Sequence, residues 1–139
     1  MSKITIGRRE LISILDLDLI DLDAKIDTGA DSNAIHCDDI FVDEQNNVHF
    51  TLLDEVHEAY HGRKIVLPLY TMKQVKSSNG QMQYRPSVKV KVNFMGNIYD
   101  AVISLTNRKK MKYPMLIGRK FLAGKFIVDV EKDYLSKDL

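Results

Sequence analysis

The sequence predicts a single, mainly antiparallel β domain, closed or nearly closed into a barrel. Apolar and polar residues alternate with a period of two along most of the 139 residues, as in half-buried strands. Turn signals separate these segments, most clearly Asn79-Gly80 and Met95-Gly96-Asn97. Helix signals are few, and no stretch has the composition of a linker. The expected organisation is therefore one domain spanning residues 1–139.

The alternation places the elements in chain order. Residues 88–94 form the clearest strand, because their apolar members alternate with Ser87, Lys89, Lys91 and Asn93. Pro68 favours an edge position for its strand, since proline cannot donate a ladder hydrogen bond. The predicted strands are 4–6, 15–19, 22–26, 48–53, 64–70, 73–75, 82–84, 88–94 and 98–105. One short helix is expected at 119–123, where Gly124 ends it.

The composition is ordinary for a soluble globular protein, with 45% hydrophobic and 28% charged residues. A net charge of +1 gives no reason to expect nucleic acid or an anionic membrane as partner. Cys37 is the only cysteine, which excludes an intrachain disulfide and fits a buried small apolar side chain. The N-terminus carries charges where a signal peptide would be apolar. We therefore expect a cytoplasmic protein.

Two motifs are reminiscent of metal sites, but both fit poorly. The acidic run 16–27 lacks the Gly and the Glu of a calcium loop, because Asp21 and Asp27 stand at those positions. HEAYH at 57–61 matches a zinc-peptidase pattern in which two His on one helical turn bind the metal. Gly62 follows at once, and no later His can serve as third ligand. Surface loops and no metal cofactor are expected, with a zinc peptidase as the least favoured alternative.

The third candidate site is Asp27-Thr28-Gly29. The alternating segment 22–26 ends in this triplet, and residues 30–35 suit a chain that doubles back. Far downstream, Leu116 and Ile117 precede Gly118. Acid proteases carry their catalytic Asp in such a setting but need two carboxylates, and this triplet occurs once.

With this pairing the chain resembles retropepsin-type aspartic peptidases. DTGAD and LIGRKFL are similar to their counterparts in retroviral proteases. The resemblance implies that an apolar-apolar-Gly strand lies behind the Asp-Thr-Gly loop. It also implies an ion pair between Asp31 and Arg119 beside the site, with Ala30, Ile117 and Gly118 as further support.

A second resemblance covers nearly the whole chain. The motifs IGRRE, AKIDTGA, SSNG with a following RP, LTNR, YPMLIGRKFL and FIVD occur in the same order in a bacterial and archaeal family. That family is known as ATP-dependent zinc protease or RimB-like, and its members look like single-domain retropepsins. Many are associated with RimK-type ATP-grasp ligases, which add glutamates to a ribosomal protein. The resemblance implies a closed barrel with a flap hairpin, and a peptidase for glutamate-rich or glutamate-tailed substrates.

The implied mechanism requires a homodimer, because each chain supplies one Asp27. The two carboxylates would share a proton, so that one activates water while the other protonates the scissile carbonyl oxygen. Thr28 would hold the two loops together, and Gly29 would allow a close approach of backbone or substrate. Ala30 offers no hydroxyl to Asp27, which predicts activity nearer neutral than acid pH.

The hairpin around Ser77-Ser78-Asn79-Gly80 is the expected flap. It carries Lys73, Lys76 and Arg85, and Arg108 belongs to the LTNR motif. If these cations converge on the site, they would suit acidic substrate side chains. A retropepsin-like module that binds acidic peptides without cutting them remains an alternative of another class. The sequence has no Gly-rich phosphate loop, so any ATP dependence would come through a partner ligase.

Overall fold

The computed structural model describes residues 2–52, 62–76, 79–107 and 112–139. Within these residues the chain is mainly β, as the alternation predicts. The strands are β1 (Ile4–Ile6), β2 (Arg9–Ile14), β3 (Leu19–Asp27), β4 (Asn33–His36), β5 (Asp38–Val42), β6 (Asn47–Leu52), β7 (Arg63–Pro68), β8 (Thr71–Lys76), β9 (Met82–Phe94), β10 (Asn97–Thr106), β11 (Met115–Gly118) and β12 (Phe126–Val128). The helix α1 is one turn long (Arg119–Leu122), and 3-10 turns occur at Leu15–Leu17 and Leu135–Asp138. None of the helices in the described part of the chain has the length and apolar character that crossing a membrane demands.

The main sheet runs in the order β10-β4-β11-β3-β2-β9-β8. An additional pairing joins β9 back to β10, so six of these strands form a ring and β8 extends it from β9. A separate sheet has the order β5-β6-β7, and β1 pairs in parallel with β12. Most pairings are antiparallel, in agreement with the predicted class. The closed barrel itself stays a prediction.

The β9–β10 hairpin shows why the sequence pattern works in this fold. From Val88 to Phe94 the apolar side chains are buried, whereas the polar residues between them are exposed. Phe94 pairs with Asn97, so Met95 and Gly96 form a two-residue turn in which both have positive φ, 53° and 80°. Such a turn matches the right-handed twist of the two strands. The predicted hairpin is confirmed, and Phe94 packs edge-on against Phe121 and Phe126.

The predicted β8–β9 hairpin is also confirmed. The last residue of β8, Lys76, pairs with Met82, the first residue of β9. Gly80, which lies between these two strands in the chain, has φ of 84°. Pro68 ends β7, which is an edge strand as predicted. Ser77, Ser78, Arg108 and the HEAYH motif lie outside the described residues.

The prediction of one strand through Leu15, Leu17 and Leu19 is wrong. Leu15–Leu17 forms a 3-10 turn that ends at Asp18 in the left-handed region, and Leu19 begins β3. Asp tolerates that backbone conformation better than most residues do. A carboxylate oxygen of Asp16 accepts a hydrogen bond from the backbone N–H of Lys91 at 2.8 Å, which ties the turn to β9. The alternating pattern at residues 15–17 therefore belongs to a 3-10 turn, in which Leu17 is the buried side chain.

The last residues of the chain are fastened to β2 through the IGRRE motif. Asp133 accepts paired hydrogen bonds from Arg8 Nε and Nη2 at 2.7 and 2.9 Å. It also accepts from Arg9 Nε and Nη2 at 3.1 and 2.7 Å. Such planar pairings fix orientation as well as charge. The motif therefore holds the C-terminal segment, a structural role that the sequence pattern did not suggest.

Replacing Asp133 with Asn is expected to reduce stability in a pH-dependent way. The Arg8 guanidinium, and after it that of Arg9, hold the pKa of the Asp133 carboxyl well below its usual range. A carboxyl with a lowered folded-state pKa stabilises the protein above its unfolded-state pKa, and this contribution disappears as the pH falls through the folded-state value. Thermal unfolding from pH 7 downward should show a gap between wild type and variant that narrows below about pH 4. A gap that is constant with pH would contradict this assignment.

Glu10 is a second fastening point, and it is fully buried. Its carboxylate accepts backbone hydrogen bonds from Gly7 at 2.6 Å, Ser136 at 2.8 Å and Leu135 at 3.1 Å. We expect Glu10→Gln to lower the free energy of unfolding by about 2 kcal/mol, since the amide places N–H groups against N–H donors. Urea unfolding would measure the loss. The exposed Glu44→Gln is the matched control, and an equal effect of the two changes would contradict the prediction.

Candidate active site

The structure brings the two separated motifs of the predicted site together. β3 ends at Asp27, and β11 lies parallel to it, with Gly118 opposite Asp27 and Ile117 opposite Ile26. Ile26 and Ile117 are both buried, which anchors the ends of both strands in the core. The apolar-apolar-Gly strand therefore lies directly beside the Asp-Thr-Gly loop, as the resemblance implies.

Asp27 begins a tight turn at the end of β3. Its carbonyl oxygen accepts a hydrogen bond from Ala30 N–H at 3.1 Å, and its Oδ1 accepts one from Gly29 N–H at 3.1 Å. Among the described residues, no hydrogen bond to Oδ2 is found. The Asp27 side chain is half-buried, whereas Thr28 and Gly29 are exposed. One carboxylate oxygen is thus oriented by the turn, and the other can act on a ligand or a second carboxylate.

Gly118 is packed too tightly for any side chain. A Cβ built there would lie 2.6 Å from the Ser32 carbonyl oxygen and 2.7 Å from its backbone N. The Gly118 N–H donates to Asn33 Oδ1 at 3.0 Å, and Asn33 Nδ2 donates to the Val102 carbonyl at 3.1 Å. Asn33 is buried and joins β4, β10 and β11. Sequence reasoning missed Asn33, although a polar residue at the start of a buried strand is a signal that could have found it.

Arg119 and Asp31 form an ion pair, as the resemblance implies. The same guanidinium donates from Nη1 to the Gly29 carbonyl at 3.3 Å and lies 3.5 Å from that of Thr28. The backbone N–H of Arg119 also donates to the Ala30 carbonyl at 2.9 Å. Arg119 therefore connects α1 to both sides of the Asp27 turn.

A cleft of about 420 Å³ opens beside Asp27. The cationic side chains Lys73, Lys76 and Arg85 of the β8–β9 hairpin line it, and Lys73 Nζ donates to Ser32 Oγ. The described residues that line it are Asp27, Ala30, Asp31, Ser32, Asn33, Ala34, Lys73, Gln74, Lys76, Arg85, Ser104 and Leu116. Asn79 and Gly80, although described, are not part of this lining. The hairpin therefore brings predicted cations to Asp27, while the two described residues of the predicted turn do not line the cleft.

The metal-site motifs and Cys37 are the remaining sequence candidates. Within the described residues, no group of three His, Cys, Asp or Glu side chains could hold a metal ion. HEAYH is not among these residues, so the zinc interpretation stays a prediction. Cys37 is fully buried, as expected, and burial raises the pKa of its thiol to about 12. A thiol so strongly held in its neutral form is a poor nucleophile.

Comparison with known proteins adds three findings. The family model for RimB-like proteins, described as retropepsin-like aspartic endopeptidase RimB, matches residues 5–138. A probable alpha-L-glutamate ligase of Shewanella pealeana is 28% identical over 137 residues, which are 96% of this chain and 30% of the relative. A second probable alpha-L-glutamate ligase, from Parasynechococcus marenigrum, is 27% identical over 141 residues, 99% of this chain and 30% of the relative. The chain thus spans about a third of the length of these curated relatives.

A solved structure is similar over almost its full length. The protein Lpg0085 of Legionella pneumophila, of unknown function, has a TM-score of 0.74 and 24% sequence identity. The similarity covers 97% of this chain and 99% of the other. At this identity the likeness concerns the fold alone.

Proposed function

Since the chain belongs to the RimB-like family of retropepsin-like aspartic endopeptidases, we propose that it is an aspartic peptidase, active as a homodimer with one Asp27 from each chain. The observation that carries the proposal is the Asp27 carboxylate itself. It is oriented by Gly29 N–H through one oxygen, has no hydrogen-bond partner among the described residues on the other, and faces a cleft. A second copy of this turn would complete a pair of carboxylates.

The exposed loop beside Asp27 supports the homodimer. Thr28 and Gly29 are exposed at its tip, where a second chain can approach. Two neighbouring carboxylates cannot both ionise easily, so the dyad would hold one proton. The ionised Asp27 would take a proton from the attacking water, and the protonated one would donate its proton to the carbonyl oxygen. The chemistry needs no metal or other cofactor.

The charge of the cleft supports an acidic substrate. Lys73, Lys76 and Arg85 line it together with Asp27 and Asp31, and Asp31 is already paired with Arg119. Lys73 and Lys76 can therefore offset substrate carboxylates, with the β8–β9 hairpin acting as flap. The names of the curated relatives join this domain type to glutamate ligation. We propose that the chain processes glutamate-rich or glutamylated tails made by an ATP-grasp ligase.

A tail-processing assay tests this function directly. The purified protein is incubated with a peptide that ends in several glutamates and with its glutamine counterpart, and the products are identified by mass spectrometry. We expect cleavage of the glutamate peptide, unchanged by a metal chelator. Loss of activity with chelator and recovery with zinc would instead favour the HEAYH alternative. Absence of any cleavage would contradict the peptidase.

Removing two flap cations is expected to reduce selectivity for acidic substrates. The double change Lys73→Met and Lys76→Met keeps much of the apolar stem and removes both charges. We expect kcat/KM for the glutamate peptide to fall about tenfold, since each exposed charge pair contributes on the order of 0.7 kcal/mol. Activity on any glutamine-rich substrate should change little. Lys64→Met, on the exposed face of β7, is the matched control, and equal losses on acidic and neutral peptides would contradict the assignment.

A further inference from the structure

A second cavity of about 570 Å³ adjoins the Asp27 cleft. Five residues line both spaces, so the two spaces are adjacent. The shared residues are Ser32, Asn33, Lys73, Gln74 and Ser104. The second cavity continues between β8, β10 and α1, where its lining includes Asp100, Lys120, Phe121 and Lys125. We call this space the outer cavity.

The outer cavity has its own cations, which sequence reasoning did not select. Lys120 stands in α1, and its backbone N–H donates to the Asp31 carbonyl at 3.1 Å, which places it next to the Asp27 turn. Lys125 Nζ lies 4.9 Å from the Phe121 ring centre and 5.6 Å from that of Tyr99. Aromatic faces attract an ammonium group without neutralising its charge. Both lysines therefore stand at this cavity as cations.

The acid in the lining does not cancel these charges. Asp100 is paired with Lys91 Nζ at 3.0 Å, and this hydrogen bond lowers the pKa of the Asp100 carboxyl. Among the described lining residues, Lys73, Lys120 and Lys125 oppose this single carboxylate. The outer cavity therefore has an excess of positive charge next to a site already lined by Lys76 and Arg85.

Ser104 lies where the two spaces meet. Only 5% of the Ser104 surface is exposed, and the residue lines both cavities. Within the described part of the chain, no hydrogen bond made by its hydroxyl is found. The hydroxyl can donate to a carboxylate or a peptide carbonyl that passes from one cavity to the other.

From these contacts we propose that the outer cavity is a second carboxylate-binding subsite, in which Lys120 and Lys125 bind an acidic side chain of the substrate several residues away from the scissile bond. This inference rests on the proposed function for its substrate class. The subsite would make the protein select long acidic tails over short ones, because only a long tail reaches both spaces. Lys120 and Lys125 would then be specificity-determining residues rather than catalytic ones.

Binding to an inactive protein tests the subsite apart from turnover. Fluorescein-labelled peptides of two and six glutamates are titrated onto the Asp27→Asn protein, and anisotropy gives the Kd. Six extended residues span about 20 Å, enough to leave the Asp27 cleft. We expect Lys120→Glu with Lys125→Glu to raise the Kd of the six-residue peptide at least about tenfold and to leave that of the short peptide nearly unchanged. The matched control is Lys3→Glu with Lys64→Glu, which reverses the charge of two exposed lysines that line neither the Asp27 cleft nor the outer cavity.

The possible outcomes separate the two proposals. Equal weakening for both peptides, an effect no larger than that of the control, or no binding of the long peptide to the unchanged Asp27→Asn protein would overturn the subsite. Cleavage of the glutamate peptide by the wild-type protein, measured separately, tests the proposed peptidase activity. Selective weakening of the long peptide in a protein that cleaves nothing would support the subsite and remove the peptidase.

Discussion

Asp27→Asn is expected to abolish peptidase activity while leaving the fold intact. Acid–base catalysis by a positioned group typically contributes 10²- to 10⁴-fold, so we expect kcat to fall by about 10³-fold or more. Asparagine keeps the oxygen that accepts the Gly29 N–H, so the turn should persist. It can neither take a proton from water nor give one to a carbonyl oxygen. Steady-state cleavage of a glutamate-tailed peptide measures the loss, and thermal unfolding shows whether the fold is preserved.

A matched change elsewhere makes the result specific. Asp18→Asn alters an exposed carboxylate just before the same strand, at a left-handed position where asparagine is also tolerated. We expect this control to keep wild-type kcat. Substantial activity in Asp27→Asn, or equal losses in both variants, would remove Asp27 from the chemistry.

Mixed subunits test the requirement for two chains. If one intact Asp27 is not enough, equal amounts of wild-type and Asp27→Asn chains that exchange freely should retain about one quarter of the activity, because only that share of dimers has both carboxylates. Independent active chains would retain about one half.

Peptide affinity distinguishes a peptidase from a binding module, since the Asp27→Asn protein should still bind acidic peptides. If the wild-type and Asp27→Asn proteins bind acidic peptides with the same affinity and the wild type cleaves none of them, the protein is a binding module and not a peptidase.

The parts of the fold that sequence predicted are those decided by local rules. The β9–β10 hairpin follows from strict alternation and a turn at Gly96, whereas the strand β11 was expected only from the resemblance to retropepsins. The alignment of Gly118 with Asp27 came from resemblance to other proteins, since nothing local connects two segments so far apart in the chain. The ion pair of Asp31 with Arg119 was likewise expected only from the resemblance.

The parts that sequence did not predict depend on tertiary contacts. Nothing in the sequence distinguishes Glu10 from an exposed charged residue, yet it is fully buried and three backbone N–H groups donate to its carboxylate. The local sequence gives no reason to select Lys120 or Lys125, because the other walls of their cavity come from β8 and β10. Leu15 and Leu17 mimic a strand because a 3-10 turn and a strand can share a two-residue spacing of apolar side chains over so short a span. Burial and convergence of this kind have no local signature.

Gly118→Ala is expected to be the most destabilising single methyl addition at the site. The new Cβ would meet the Ser32 carbonyl oxygen and backbone N at 2.6 and 2.7 Å, distances that real side chains do not tolerate. These atoms belong to the backbone between the Asp27 turn and β4, so they cannot rotate away as a flexible side chain would. We expect the free energy of unfolding to fall by about 3 kcal/mol, since the structure must open to admit the methyl group. Urea unfolding measures this directly.

Gly29→Ala separates the steric cause from a general intolerance of the site to alanine. A Cβ at Gly29 would lie 3.4 Å from Asp27 Oδ1, an ordinary contact, and the backbone there is outside the left-handed region. The free energy of unfolding of Gly29→Ala should differ from that of the wild type by less than about 1 kcal/mol.

Gly118→Ala should also affect the site. Because Gly118 N–H donates to Asn33 Oδ1, displacement of β11 would stretch that bond and move the strand beside Asp27. Gly118→Ala should therefore lose catalytic activity even under conditions in which it remains folded, and a fully active, fully stable Gly118→Ala protein would contradict the packing that supports the site.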